Sequence, residues 1–396
     1  MKNIKYNLAS DSWDDEEIKA INEVISSNRY TMGDRVKQFE SEFANFFGSK
    51  YSIMVNSGSS ANLLMLASLI SSGQYDLQKG DEVIVPAVSW STTYFPVTQY
   101  GLKLVFVDVD KETLNINVNK IEEAITSKTK IIFAVNLLGN PCEINDLKKI
   151  CSNNNLILIE DNCESLGAMY SDKFTGTFGL MGSFSFFFSH HMQTMEGGMI
   201  LTNDSDLYEH CVSLRAHGWI RDLPEQNNIM NKTGDAFKDS FKFVTPGYSL
   251  RPLEMSGAIG SVQLKKLPNF LKNRRQNAKI FKTLFENEEN IIIQKETHVS
   301  SWFGFSLILK NNLDGFRDQL INQLKESNIE CRPIVAGDFT KNPVIKYLDH
   351  RISNELNDTK IIDENGFFVG NDFRNLSEEI NHLHGTIKEF ESTLVS

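Results

Sequence analysis

From residue 51 to residue 162 the chain repeats one alternation, a short apolar run followed by a turn or a helical stretch. The runs are YSIMV (51–55), DEVIVPA (81–87), LKLVFVDVD (102–110), KIIFAVNLLG (130–139) and LILIEDN (156–162). Helices are expected from the LLMLASLI segment, near 117–127 and near 144–153. Strands apolar on both faces and joined by helical crossovers demand a mostly parallel sheet covered on both sides. Ligands of such sheets sit beyond the carboxyl ends of the strands. The residues directly after each run therefore carry the functional argument.

The flanking segments complete an α/β chain. A helix is expected over 12–28, opened by Ser12 and carrying Asp15, Glu16 and Glu17 in its first turn. A second, over 35–47, places Phe39, Phe43, Phe46 and Phe47 on a packing face. After Gly198 come MILTND, a helix near 204–217 and a polar, irregular segment over 218–247, too long for a simple connection. A helical run over 251–285 follows, with a break or kink expected at Pro268, and residues 290–396 mix strands with helices. The division expected is a large domain over 1–250, a connecting helical segment over 251–285 and a smaller α/β domain over 286–396.

Charge and composition narrow the partners. A net charge of −11 argues against a general nucleic-acid or anionic-membrane binder. No apolar run approaches the roughly 20 residues that span a bilayer, and the two N-terminal lysines precede no hydrophobic segment of a signal peptide. Five scattered cysteines without a CxxC or CxC spacing suit reduced thiols in a cytoplasm.

Several strand ends hold candidate chemistry. Ser57–Gly58–Ser59–Ser60 starts a helix after the first run, where exposed N–H groups suit a phosphate, although the same residues make ordinary caps. Trp90 follows the second run and is either a core aromatic or a stacking platform. Glu160–Asp161 ends the run LILIEDN, where a carboxylate caps a segment or holds a cationic ring nitrogen, with Glu164 three residues on. FSFFFSHHMQTMEGG (184–198) runs from an apolar strand through Ser189, His190 and His191 into a Glu-Gly-Gly turn. Adjacent side chains on an extended segment point to opposite sides, so one histidine of the pair faces a ligand. No third metal ligand is spaced nearby, and a metal is not expected.

The ordered set SGSS (57–60), PAVSWS (86–91), EDNCES (160–165), SFFFSHH (185–191) and EGG (196–198) resembles the fold-type I, pyridoxal-phosphate-dependent enzymes. Within them it is similar to the sugar aminotransferases and 3-dehydratases of nucleotide-linked 4-keto-6-deoxy sugars. LRAHGW (214–219), PGYSLRPLEMSGAIG (246–260), SSWFGFS (300–306), ECRPIV (330–335) and NGFFVGN (365–371) extend the likeness along nearly the whole chain. The resemblance implies an aspartate aminotransferase-like fold with a seven-stranded, mostly parallel sheet. It implies a phosphate held by Gly58, Ser59 and Ser185, a ring stacked on Trp90 and a ring nitrogen paired with Asp161. Glu164 would lie near the phenolic oxygen. Where the aminotransferases place the lysine that bonds the cofactor's aldehyde, this chain has His190, the mark of the 3-dehydratases, with Ser189 helping to position it.

Imidazole forms no stable imine with an aldehyde but suits acid–base work near neutrality. The cofactor, pyridoxal or pyridoxamine phosphate, would be held without a covalent tether and recharged by L-glutamate. The resemblance then implies a lyase that removes the C3 hydroxyl of a nucleotide-linked 4-keto-6-deoxyhexose and releases ammonia. The product would be a dideoxy sugar of the kind built into O-antigen, and GDP is the nucleotide expected. An amino-sugar-forming enzyme and a silent binding homologue are the alternatives. A related branch on CDP-sugars uses an iron–sulfur cluster, which the cysteine spacing here does not suit. Arg221, Arg251 and Arg332 are candidates for the pyrophosphate. A homodimer with shared active sites is implied. Ser249 stands where the family usually has an asparagine reaching the partner's phosphate.

Overall fold

The computed structural model describes residues 4–395. Nine strands come first: β1 (Tyr51–Val55), β2 (Glu82–Pro86), β3 (Lys103–Val107), β4 (Thr129–Val135), β5 (Ile157–Asp161), the hairpin β6 (Met169–Tyr170) and β7 (Lys173–Phe174), β8 (Met181–Ser185) and β9 (Gly198–Thr202). Five follow: β10 (Ile291–Ile293), β11 (Gly304–Leu309), β12 (Cys331–Arg332), β13 (His350–Ile352) and β14 (Gly366–Gly370). The large sheet has the order β1-β9-β8-β5-β4-β2-β3-β13. β9 pairs antiparallel with both β1 and β8, and the remaining pairs are parallel. The seven strands expected are thus joined by an eighth, because residues 350–352 return to pair with β3. The smaller sheet, β10-β11-β14-β12, is antiparallel.

The period of two in the strands explains the layers. Val83, Val85, Leu104, Phe106, Ile131 and Phe133 face a core that includes helices Gly58–Ser72 and Ser205–Arg215. Their neighbours Ile84, Val105, Ile132 and Ala134 face the opposite core, with Leu147 and Ile150 of helix Ile144–Asn154. The apolar residues of these central strands are thus buried from one side or the other, as a parallel sheet requires. A further core gathers Phe39, Phe43 and Phe47 of helix Asp34–Phe47 against Phe184 and Phe186, and Phe46 packs on it partly buried. Those rings lie about one ring diameter apart in tilted and edge-on pairs, such as Phe43 and Phe184 at 5.3 Å and 77°.

The first helix runs over Asp15–Ser27, and its cap is Asp14 rather than the expected Ser12. Asp14 and Glu17 form a reciprocal capping box. Ser12 is buried instead, with its hydroxyl donating to Gln263 at 3.0 Å. The expected break at Pro268 is also absent: one helix spans Glu254–Phe285 with Pro268 inside it. Packing against helices Asp15–Ser27 and Asp34–Phe47 holds the segment together despite the lost N–H. That approach is close, since a Cβ on Gly257 would lie 2.7 Å from the Val36 backbone. Over 218–247 the chain forms only the short helix Ala236–Asp239 and exposes Phe237, Phe241 and Phe243.

Helix Asp34–Phe47 starts at Gly33, which has no side chain to cap it. Glu254 supplies the cap from the start of the long helix. Its carboxylate accepts the N–H groups of Gly33 at 2.6 Å, Arg35 at 2.7 Å and Val36 at 3.3 Å. Helix-start donors are thereby satisfied by a buried charge placed where the helix dipole favours it. Replacing Glu254 by Ala should cost on the order of 2 kcal/mol, the worth of a charged cap. Urea unfolding with an unchanged m-value would measure it, and a loss below ~0.5 kcal/mol would contradict the capping role.

Candidate active site

The carboxyl ends of β2, β4, β5 and β8, with the start of the helix after β1, surround a cavity of about 340 Å³. Gly58, Ser59, Trp90, Asp161, Glu164, Ser185, Ser189, His190 and Arg332 all line it. Arg221 and Arg251 do not. They stack on Trp219 instead, with guanidinium carbons 3.5 and 5.6 Å from the ring centroid. Ser249 pairs with Ala216 and also lies outside the cavity.

One wall is the N-terminus of helix Gly58–Ser72. Ser57 caps it by accepting the Ser60 N–H at 3.1 Å, and the first-turn N–H groups of Gly58 and Ser59 have no intrahelical acceptor. A Cβ on Gly58 would lie 2.6 Å from the Ser185 Cβ and 2.9 Å from the Cys163 sulfur. Glycine lets the helix start meet the end of β8. Ser59 donates to the Thr92 hydroxyl at 2.9 Å, tying this turn to the one that carries Trp90. Trp90 itself is 58% exposed, so its face is available rather than consumed by the core.

β5 separates two carboxylates that adjoin in sequence. Glu160 is fully buried and accepts the N–H groups of Gly176, Phe178 and Gly179, each at 2.7 Å. Burial raises its pKa while those donors pull it down, and its part is to hold a loop. Asp161 points the other way, into the cavity. Its Oδ2 accepts from Asn62 at 2.7 Å and Thr93 at 2.8 Å, and its Oδ1 from the Cys163 N–H at 3.1 Å. Glu164 accepts the Leu138 N–H at 3.1 Å, and burial pushes its carboxyl up to about 7.

His190 sits in the turn between β8 and β9, half-buried, with its ring 5.1 Å from Phe303. Its Nδ1 lies 2.8 Å from the Cys163 carbonyl. A carbonyl only accepts, so Nδ1 carries the proton and Nε2 keeps a lone pair. Burial, aided by the buried Arg274 guanidinium, pulls the imidazole pKa down to about 4 against the effect of the carbonyl. His191 turns elsewhere: it is buried, and its Nε2 meets the Ser301 carbonyl at 3.1 Å. The two rings do part, although not by the alternation expected of an extended segment, because residues 188–192 form a turn.

Arg332 and Phe368 of the smaller sheet, with Phe303 and Val335 of the loops beside it, close the cavity. Arg332 has no carboxylate within 4 Å among the described residues. Two residues of the loops around the site, Trp302 (φ 49°) and Val335 (φ 50°), hold left-handed backbone that such side chains rarely adopt. Sequence reasoning did not single out Asn62, Thr93, Cys163 or Phe303. Asn62 and Thr93 lie four and three residues beyond Gly58 and Trp90, so one helical turn of spacing was the available signal.

A model of the DegT/DnrJ/EryC1/StrS aminotransferase family matches residues 11–372. The chain belongs to this family. It is 55% identical over 388 residues to the GDP-4-keto-6-deoxy-D-mannose 3-dehydratase of Yersinia pseudotuberculosis, across 98% of this chain and 99% of that relative. The structure of the E. coli GDP-4-keto-6-deoxy-D-mannose-3-dehydratase with bound hydrated PLP is similar with a TM-score of 0.95 and 53% identity. That match covers 97% of this chain and 99% of the other. A structure of a GDP-4-keto-6-deoxymannose-3-dehydratase with a trapped PLP-glutamate geminal diamine has a TM-score of 0.94 and 52% identity. It covers 96% of this chain and 99% of the other.

For this member of the family the electrostatics set a pH signature. The folded pKa of His190 lies below its ordinary 6.5, so the unfolded chain takes up the proton first as pH falls. Its contribution to stability is held above pH 6.5 and lost as pH falls through 4. Glu164 has the opposite sign: its pKa is raised from 4.5, so stability present below 4.5 is lost as pH rises through about 7. NMR of imidazole-labelled, cofactor-free protein should show His190 still neutral at about pH 5.5. A midpoint near 6.5 would contradict the buried, carbonyl-tied setting.

Proposed function

We propose that this chain removes the C3 hydroxyl of GDP-4-keto-6-deoxy-D-mannose, with L-glutamate as amino donor and release of ammonia. The single observation that carries the reading is His190: an untethered acid–base group at the cavity where the resemblance places the aminotransferase lysine. The identity of 55% over nearly the full chain to a dehydratase of that name supports it. The enzyme is a pyridoxal-phosphate-dependent lyase with a transamination half-reaction. Electrons balance without a further reductant, because glutamate is oxidised to 2-oxoglutarate as the C–O bond at C3 is reduced to C–H.

The residues present fit the cofactor. Gly58 and Ser59 offer helix-start N–H groups, and Ser185 a hydroxyl, to a phosphate, in a cradle that a Cβ on Gly58 would fill. Trp90 offers a face to the ring, and Asp161 offers a carboxylate to its nitrogen. When bound, pyridoxamine phosphate supplies an amine for the C4 ketone and a ring that accepts electrons. His190, with Nδ1 committed to Cys163, moves the proton at the cofactor's C4′ carbon through Nε2. Ser189 lines the cavity beside it, and Glu164 would face the phenolic oxygen. Arg332 would take the pyrophosphate as a cation with no carboxylate partner among the described residues.

The assembly belongs to the same proposal. Arg221, Arg251 and Ser249, outside the cavity of their own chain, would serve the partner's site in a homodimer. The exposed Phe237, Phe241 and Phe243 of the same segment suit burial against a second copy. A cytoplasmic location and a part in O-antigen synthesis follow from the substrate and from the free cysteines. No helix among the described residues is long and apolar enough to cross a membrane.

Incubation with glutamate and GDP-4-keto-6-deoxy-D-mannose, followed by mass analysis, should show loss of one oxygen at C3. An amine gained with the C3 hydroxyl intact would overturn the reading. His190→Asn should abolish dehydration, by about 100-fold or more, while cofactor binding survives. Borohydride reduction of the aldehyde-loaded protein should leave no cofactor covalently attached.

A further inference from the structure

Four buried polar side chains around Asp161 form with it one directed hydrogen-bond network. Ser89, Thr93, Asn62 and Ser183 are each at most 1% exposed, and Asp161 is 5% exposed. The Ser183 hydroxyl donates to Asn62 Oδ1 at 2.6 Å, which orients the amide so that its Nδ2 donates to Asp161 Oδ2 at 2.7 Å. Thr93 donates to the same oxygen at 2.8 Å. Its hydroxyl proton is thereby spent, so the Ser89 hydroxyl, 3.0 Å away, donates to Thr93. Apart from an Asn62 amide proton that meets the Thr92 carbonyl at 3.4 Å, the donors of the set point toward Asp161.

The two carboxylate oxygens end up unequal. Oδ2 takes two side-chain donors, Asn62 and Thr93, whereas Oδ1 takes the Cys163 N–H at 3.1 Å, with the Cys163 thiol also beside the carboxylate. A carboxylate accepts at about four lone-pair sites, and the one left open belongs to Oδ1, on a residue that lines the cavity. The two donors also come from the helix starts that build the rest of the site. Asn62 lies on the helix that begins at Gly58, and Thr93 on the helix that begins beside Trp90. Those turns are themselves tied by the bond between Ser59 and Thr92. The spacing between the phosphate end of the cavity and the carboxylate is thus set by one rigid unit.

We propose that Thr93 and Asn62 are positioning residues that aim the free lone pair of Asp161 Oδ1 at the ring N–H of the bound cofactor. The proposal rests on the pyridoxal-phosphate reading above. Its consequence is that the ring nitrogen stays protonated because Asp161 cannot rotate away. Thr93→Val keeps the side-chain volume and removes the donor, and Thr93→Ser restores the donor. Asn62→Leu removes the second donor independently.

The test compares holoenzymes loaded with pyridoxal phosphate labelled with nitrogen-15 in the ring. Wild type and Thr93→Ser should give the shift of a protonated ring nitrogen across neutral pH. Thr93→Val and Asn62→Leu should move that shift toward neutral pyridine. Their kcat should fall about 10- to 100-fold, the worth of one hydrogen bond to a charged group, with the KM for the sugar nucleotide little changed. A wild-type nitrogen shift in folded Thr93→Val would overturn the proposal, whatever happens to its rate. If Thr93→Val does not fold, a wild-type shift in Asn62→Leu, or a neutral-type shift in Thr93→Ser, does the same. Failure of the wild-type protein to bind the cofactor would instead overturn the underlying reading, and the proposal with it.

Discussion

The parallel alignment of β2, β3, β4, β5 and β8 is the constraint on which the rest of the molecule depends. Parallel strands deliver their carboxyl ends to one edge of the sheet, so turns distant in sequence must meet there. Trp90 follows β2, Leu137 follows β4, Asp161 ends β5 and His190 follows β8, and all four line one cavity. The antiparallel β9 then carries the chain back beside β1, which brings Gly198 against the Ser57 carbonyl. The helix start at Gly58 is held against Ser185 by this closure as much as by its own cap.

On that frame, the chemistry divides by which way a side chain leaves the strand. Glu160 and Asp161 differ by one residue and face opposite sides, one to three loop N–H groups and the other to the cavity. His190 and His191, in the turn after β8, divide instead by the carbonyl each ring meets. Each gives one ring nitrogen to a backbone carbonyl, but only His190 lines the cavity at the strand ends. The carbonyl bond occupies Nδ1 of His190 and leaves the lone pair on Nε2. Burial keeps that imidazole neutral at about pH 7.

Much of this was legible in the chain. Apolar runs of strand length separated by helical spacing point to a mostly parallel sheet, because helical crossovers cover both of its faces. Phe39, Phe43 and Phe47 announced a packing face, and it packs on Phe184 and Phe186. Less legible were features decided by partners far along the chain. The cap at Asp14 took precedence over Ser12 because Gln263, some 250 residues away, claims the serine. The continuous helix through Pro268 and the return of residues 350–352 to β3 were hidden for the same reason.

The order of motifs, the sheet and the histidine in place of a lysine were determined by sequence, since each is a matter of residue type, period and spacing. Only the tertiary structure decided that Arg332 enters the cavity while Arg221 and Arg251 stack on Trp219 outside it. A guanidinium reads the same in any sequence, and its partner is whatever the folded chain places within reach. The clamp of Asn62 and Thr93 on Asp161 was likewise decided by packing. Two helix starts and one strand end, none adjacent in sequence, must meet before a hydrogen bond can choose its direction.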